Sequence, residues 1–597
     1  KSRYLSLIEG AIKPQWALLG ATFIAICSFL PLYLAPASVA EIVKPLFVVL
    51  AVSLGLSWIL ALCQTTTFGN FILKEAVPGG AMKDPYDTKL YHRFEKFLTL
   101  LIKRRFVTLT TVFVTLVLSL VIMAVMPQSF FPKMNKPYFR ADLVFPEGFS
   151  IHAVDQDVMK VEDYLKNHEK VKSYSVTLGG TPLRYYLASS SFGPKSNYAN
   201  VMVETKDPED AAEVEQQFYE HMTQNFPNII TRSALFALSP VPEAAIEIGF
   251  IGENPDTLTA LVERAKKIAR QCDMVTDIRS NWGDKVPVWK PMFSQQKGLR
   301  LGITRQQVAN SFRTATNGLP LGEYREGDVS LPILLKDEDV EKMNLNDVKS
   351  VPVFSTKGNS VKVEQVIDNF ALGYDYNVVR RFNRERCMMM QCEPKRGANT
   401  MAAFKQVLTA VQEQMQLPEG YKMKYFGEQE TQDVSNAALA KNIPLTFLLI
   451  YVVLLFLFPS NYRKPVLIML MLPLVFIGVV WGLLLFGKSL DFFAILGLLG
   501  LIGMNIKNAI VLVDEIGLQL KDGKGAVPAV VEATKTRIVP VTMASGTTIL
   551  GMLPLLGDAM FAGMAATIMG GLFVSTVLTI FVLPVTYCIF FKIRADR

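Results

Sequence analysis

The chain has 597 residues, half of them hydrophobic and 19% charged, where a soluble protein of this size carries about a quarter charged residues. This excludes an ordinary soluble domain and fits membrane helices joined to a sizeable soluble part. The net charge of +8 sits largely in short loops beside apolar runs, which is a membrane-topology pattern and no argument for nucleic-acid binding.

A bilayer core of about 30 Å needs about 20 apolar residues of helix. Eight stretches meet this, at 16–34, 43–63, 106–126, 440–458, 465–486, 492–513, 538–556 and 564–591. The chain opens on KSRYLSLIEG, without the charged n-region or cleavage site of a signal peptide, and so reads as beginning inside a larger membrane protein. Four basic clusters fall on one side if the spans alternate: Lys89 to Arg105, Arg463 with Lys464, Lys521 to Arg537, and Lys592 to Arg597. The positive-inside rule makes that side cytoplasmic and puts the long loop of about 310 residues outside it.

That loop reads as β-α-β units. Phe139, Ala141, Leu143 and Phe145 alternate with polar residues, as in a half-buried strand. Val154, Val158, Val161 and Leu165 then line one helix face and a strand at 174–178 closes the unit, after which a strand at 200–205 and a helix near 211–225 are expected. The pattern restarts with Ile246, Ile248 and Phe250, a helical face of Leu258, Leu261, Val262, Ala265 and Ala269, and a strand at 275–280. It closes with a strand at 382–391, a helix presenting Phe404, Val407, Leu408, Val411 and Met415, and a strand at 421–426. Both units fit the split β-α-β, ferredoxin-like type. An insertion at about 286–375 divides the second and holds a helix opened by the capping box from Thr304 to Gln307.

Six cysteines form no CxxC pair and four histidines have no metal-ligand spacing, so neither a disulfide framework nor a metal site is expected. The run from Cys387 to Cys392 offers soft-metal ligands, but on a strand its side chains alternate between faces, so core packing is the expected role.

Residues 8–32, ending GATFIAICSFLPL, align without a gap to 531–555, ending ASGTTILGMLPL. The first two spans then close one membrane repeat and the other six form a second, with about four spans and another external domain expected upstream.

Lys507 lies mid-span in LIGMNIKNAIVLVDE. A lysine at that depth costs about 2.5–3.5 kcal/mol on insertion scales and is functional by default. No central Asp or Glu of these spans is placed to pair with it, since Asp514 and Glu515 lie two turns on, so its acid is expected upstream of residue 1. Protonating such an acid would free the lysine and alter helix packing, which is the logic of a proton relay. Asn508, Arg537, Thr542 and Ser545 are the further relay candidates.

The order of spans, the β-α-β domain and the motif from Gly503 to Ile510, GMNIKNAI, resemble the resistance-nodulation-division (RND) transporters. So do MPQSFFPKMNKPYFRADLVFPEG, GLRLGITRQQVANSFRTATNG and RRFNRER. The form of the lysine span is similar to the hydrophobe/amphiphile efflux branch, the multidrug pumps, and the resemblance covers essentially the whole chain. It implies an α-helical polytopic membrane protein with an α+β periplasmic domain. On that reading residues 1–86 end the first membrane repeat, 87–105 form a cytoplasmic interfacial helix, and 106–126 begin the second repeat. Residues 127–243 form one porter subdomain, 244–285 and 376–430 the two parts of another, 286–375 the docking insertion, and 431–597 five further helices. In that family two aspartates on the fourth helix, an arginine and a threonine complete the relay. Lys507 and Arg537 match by position, whereas Ala544 stands where the threonine falls.

The resemblance also implies a homotrimer in a Gram-negative inner membrane, working with a periplasmic adaptor and an outer-membrane channel. Its substrates would be lipophilic or amphiphilic small molecules, with Tyr185, Tyr186, Phe192 and Tyr198 as candidate pocket residues. Heavy-metal efflux, and a non-transporting or protein-export role on the same fold, stand as alternatives. No phosphate-binding loop, catalytic triad or cofactor motif is present, so neither ATP drive nor an enzyme is expected.

Overall fold

The computed structural model describes residues 3–12, 15–34, 38–72, 86, 88–126, 135–183, 194–236, 243–337, 347–355, 358–459, 461–558 and 560–593. Among the described residues, eight helices are long and apolar enough to cross a membrane: Leu7–Leu34, Lys44–Ile72, Arg105–Val125, Gly427–Leu457, Arg463–Leu485, Phe492–Lys521, Ala526–Gly557 and Ala562–Phe590. Each overlaps one of the eight apolar stretches. Gly427–Leu457 starts well before its apolar run, because Gly427 turns the chain at φ +79° straight out of the strand Lys422–Phe426. Its first turns are polar, so hydropathy alone does not register them.

Close backbone approach builds the centre of this helical part. Helix Ala562–Phe590 is 72% buried over its most apolar window. A Cβ on Gly570 would stand 2.4 Å from the Gly482 Cα, and one on Gly478 would stand 2.6 Å from the Gly570 carbonyl oxygen. Gly478 and Gly482 are four apart on one helix, the small-xxx-small spacing that lets membrane helices touch through their backbones. Helix Lys89–Lys103, capped by Thr88, lays Leu98 and Ile102 into the same core.

The first soluble sheet contains β1 (Tyr138–Val144), β2 (Val171–Leu178), β3 (Tyr198–Thr205) and β4 (Ile230–Leu235) in the order β2-β3-β1-β4, all antiparallel. Helices Ile151–Lys166 and Ala211–Asn225 follow the first and third strands and cover one face. Phe139, Ala141 and Leu143 alternate into this core fully buried, and so does the helix face of Val154, Val158, Val161 and Leu165. The sequence pattern missed β4, whose residues ITRSAL show no apolar alternation because it is an edge strand.

The second sheet repeats this topology. Its four long strands, Ile246–Ile251, Val275–Ser280, Glu385–Pro394 and Lys422–Phe426, again fall in the order second, third, first, fourth. All six residues of Ile246–Ile251 are buried. Cys387, Met388, Met390 and Cys392 are buried in the neighbouring strand at 1% exposure or less.

Ser280–Arg381 is a separate compact unit. Lys285–Phe293 pairs with Ile367–Tyr376, and the capping box of Thr304 and Gln307 opens helix Arg305–Thr314. Leu319–Glu326 and Val329–Leu335 form a hairpin whose two-residue turn begins with Gly327 at φ +59°.

Candidate functional site

Helix Phe492–Lys521 carries Lys507. Asp491 caps it by accepting the Ala494 N–H at 2.7 Å, and burial pushes this carboxyl up to about 6. Gly563 is kept small because a Cβ there would stand 2.7 Å from the Asp491 carboxylate. Gly503 brings the Lys507 helix onto helix Gln15–Ser28, where its Cβ would lie 2.8 Å from the Ala25 Cα. The glycine of the GMNIKNAI motif is thus a contact point. Four residues on, Lys507 is exposed and makes no hydrogen bond or ion pair among the described residues. Asn508 is half-buried, whereas Asn505 turns inward at 3% exposure. A charge left open within the apolar stretch of a membrane helix is where a partner group or water belongs.

Arg537 lies on the neighbouring helix Ala526–Met552 and is held by Glu515, whose Oε2 accepts from Arg537 Nη2 at 2.5 Å. Glu515 Oε1 also accepts from Gln519 Nε2 at 2.9 Å. Arg537 therefore has an acid within this chain, which the sequence reading did not supply. An i, i+8 offset along one helix carries no signal for a contact made to another. Thr542 is exposed, with its hydroxyl donating to the Ile538 carbonyl. Ser545 is 3% exposed and accepts from Thr576 Oγ1 at 2.6 Å, a partner that sequence reasoning also missed. Lys507 and Ser545 each lie eight residues from the Glu515–Arg537 contact, about 12 Å of helix rise. The structure thus sets relay candidates on two adjoining helices, with Arg537 drawn to the Glu515 end.

Of the pocket candidates, Tyr185, Tyr186 and Phe192 lie outside the described residues. Tyr198 is 4% exposed and donates its hydroxyl to Asp142 at 2.6 Å, alongside Asn200 Nδ2 at 2.7 Å. Burial, then the Asp142 charge, raises its phenol well above the ordinary range. This is a packed strand position that offers a ligand little surface.

The two sheets are joined by paired charges. Arg396, beside the second sheet, donates to both Glu215 carboxylate oxygens, at 2.6 and 2.5 Å, and to Ser233 Oγ at 3.0 Å. Arg279 pairs with Asp277 and stands 3.5 Å from Glu393, while Arg232 of β4 faces Asp277 at 3.8 Å. Glu247 accepts from Gln391 Nε2 at 2.8 Å, and burial pushes its carboxyl up to about 7. Burial raises Glu393 and Asp277 as well.

The model of the AcrB/AcrD/AcrF family matches residues 6–591. The chain is similar to the multidrug export protein AcrF of Escherichia coli, at 23% identity over 96% of this chain and 57% of that protein. It is also similar to the swarming motility protein SwrC of Bacillus subtilis, at 22% over 99% and 56%. The nickel and cobalt resistance protein CnrA of Cupriavidus metallidurans is 27% identical over 58% of this chain and 33% of that protein. A solved heavy-metal efflux pump shares the fold, with a TM-score of 0.76 at 17% identity over 96% of this chain and 58% of that one. The chain spans about half the length of the AcrF and SwrC relatives. With a family match over nearly its whole length, eight candidate membrane helices and paired α/β units, the chain belongs to the AcrB/AcrD/AcrF family of RND efflux transporters.

Proposed function

We propose that the protein exports lipophilic or amphiphilic compounds by proton antiport. The observation that carries this is Lys507, an exposed charge on an apolar helix with no partner among the described residues, in the motif GMNIKNAI. Its position suits a lysine that alternately holds and releases an acid as protons pass. The α/β units would lie in the periplasm of an inner-membrane protein, with Ser280–Arg381 as the docking unit toward an outer-membrane channel and an adaptor. Assembly as a homotrimer is supported by the hairpin of Leu319–Glu326 and Val329–Leu335. Its Leu321, Tyr324, Leu331 and Ile333 are all exposed, and a lone two-stranded hairpin needs a partner surface to be stable.

Metal export is the second reading, favoured by the likeness to a nickel and cobalt resistance protein and to a heavy-metal pump. Against it, Met388 and Met390 are core residues at 1% and 0% exposure. Accumulation of ethidium, and separately of nickel and cobalt, in a pump-deficient Gram-negative host expressing the full-length gene decides between them. Lower ethidium, restored by an uncoupler, supports the first reading. Metal tolerance alone supports the second, and no change in either points to a non-transport role.

A further inference from the structure

Glu515, on one candidate membrane helix, forms an ion pair with Arg537 on the neighbouring one. Its side chain is 13% exposed and that of Arg537 is 34% exposed. An arginine that only anchored a helix end would extend its guanidinium into water. Here it turns inward to the adjoining helix.

The knot is also incomplete, because Arg537 Nε and Gln519 Oε1 are both buried without a hydrogen-bond partner among the described residues. Unsatisfied buried donors and acceptors of this kind mark a place that water or a second arrangement of the same groups completes. The internal repeat sharpens the point. Its offset is 523 residues (531 minus 8), so the position matching Arg537 in the first copy is Pro14. The pair is therefore particular to the repeat that carries Lys507, and the shared helical scaffold does not demand it.

We propose that Glu515 is a proton-carrying residue of the transport cycle, two helical turns beyond Lys507 on the way to the Lys521 end of the helix. This rests on the proton-driven reading above. A proton reaching Glu515 binds a carboxylate oxygen and neutralises it. Arg537 keeps its own protons and its charge, since a guanidinium does not deprotonate in proteins, but it loses its anion and is free to move. The proton then leaves Glu515 for water at the Lys521 end, and the ion pair re-forms. One O–H bond is made and one broken, and one proton passes.

The charged groups on the elements at this end are Asp514 and Lys521 on the same helix, Glu532 and Lys535 on the Arg537 helix, Arg463 and Lys464 on the helix beginning at Arg463, and Lys89, His92, Arg93, Glu95, Lys96 and Lys103 on helix Lys89–Lys103, which packs against the Arg537 helix. Lys464 Nζ packs over Gly517, 2.8 Å from where a Cβ would stand. Helices Gln15–Ser28 and Ala562–Phe590 bring no charge to it, only Cys27, Tyr587 and Cys588 as titratable groups.

The test uses the full-length protein in proteoliposomes with pyranine inside, an imposed pH gradient, and ethidium and Ni2+ as separate substrates. Variants are matched for amount and for melting temperature in detergent. Glu515→Gln keeps the shape and an acceptor but holds no proton, and should lower substrate-coupled proton flux at least tenfold. Glu515→Asp should keep flux within threefold, with a pH profile displaced by half a unit or more. Flux in Glu515→Gln within twofold of wild type, with the same pH profile, while Lys507→Ala abolishes flux, would reduce the pair to an anchor and overturn the proposal alone. Wild-type flux in Lys507→Ala would bring down the proton-driven reading and this proposal with it. If Glu515→Gln does not accumulate, the pH profile of Glu515→Asp decides: displaced supports the proposal, unchanged overturns it.

Discussion

Replacing Arg396 by Met tests whether paired charge joins the two α/β units. The guanidinium makes a bidentate contact with Glu215, a third hydrogen bond to Ser233, and lies 4.5 Å over the Tyr219 ring. Met retains most of the apolar stem and removes the charge, leaving a Glu215 side chain that is only 10% exposed. Breaking a fully buried pair costs about 3–5 kcal/mol. Arg396 is 37% exposed, so water takes over part of its role, and an estimate of about 2 kcal/mol follows. At about 1.4 kcal/mol per decade, this is roughly 30-fold in local opening. Hydrogen exchange followed by mass spectrometry on the full-length protein reads it directly in helix Ala211–Asn225 and in strand Glu385–Pro394. Glu215→Gln combined with Arg396→Met should recover part of the loss, because no buried charge is then left alone. Exchange changed by less than threefold in Arg396→Met, or a double variant as labile as the single one, would refute the reasoning.

Glu247 makes the same region pH-dependent. Its carboxyl is raised from 4.5 to about 7 by burial, so the folded state binds a proton that the unfolded chain has lost between those values. The stability that this carboxyl contributes is then fully present below about pH 4.5 and is lost as pH rises through about 7, on the order of 3 kcal/mol at most. Exchange in Ile246–Ile251, corrected for its intrinsic rate, should speed up over that window, and Glu247→Gln should flatten the dependence. Gly570→Leu should prevent stable folding, since its Cβ would meet the Gly482 backbone at 2.4 Å. Gly546→Ala, with nothing within 4 Å of the new Cβ, should be neutral. Detergent melting curves of the two separate these outcomes.

The eight candidate helices were legible because about 20 apolar residues in a row have few other uses, and the internal strands because a half-buried strand must alternate. The edge strand Ile230–Leu235 was hidden because its pattern of burial does not alternate. Lys507 stood out because a charge inside an apolar run is conspicuous in one dimension. Its exposed setting was not legible, since exposure depends on which helices lie beside it. The Glu515–Arg537 contact stayed hidden for the same reason: both residues were visible, but their distance is a property of helix packing. Tyr198 shows the converse, an aromatic in a promising loop sequence that the fold uses for a buried hydrogen bond to Asp142.

The central claim is that Lys507 couples proton movement to export. It is tested most directly by reconstituting the full-length protein and Lys507→Ala in parallel, imposing a pH gradient, and recording proton flux with and without ethidium. Substrate-stimulated flux in the wild type, and none in a folded Lys507→Ala, is the predicted result. Equal flux in both would contradict the account.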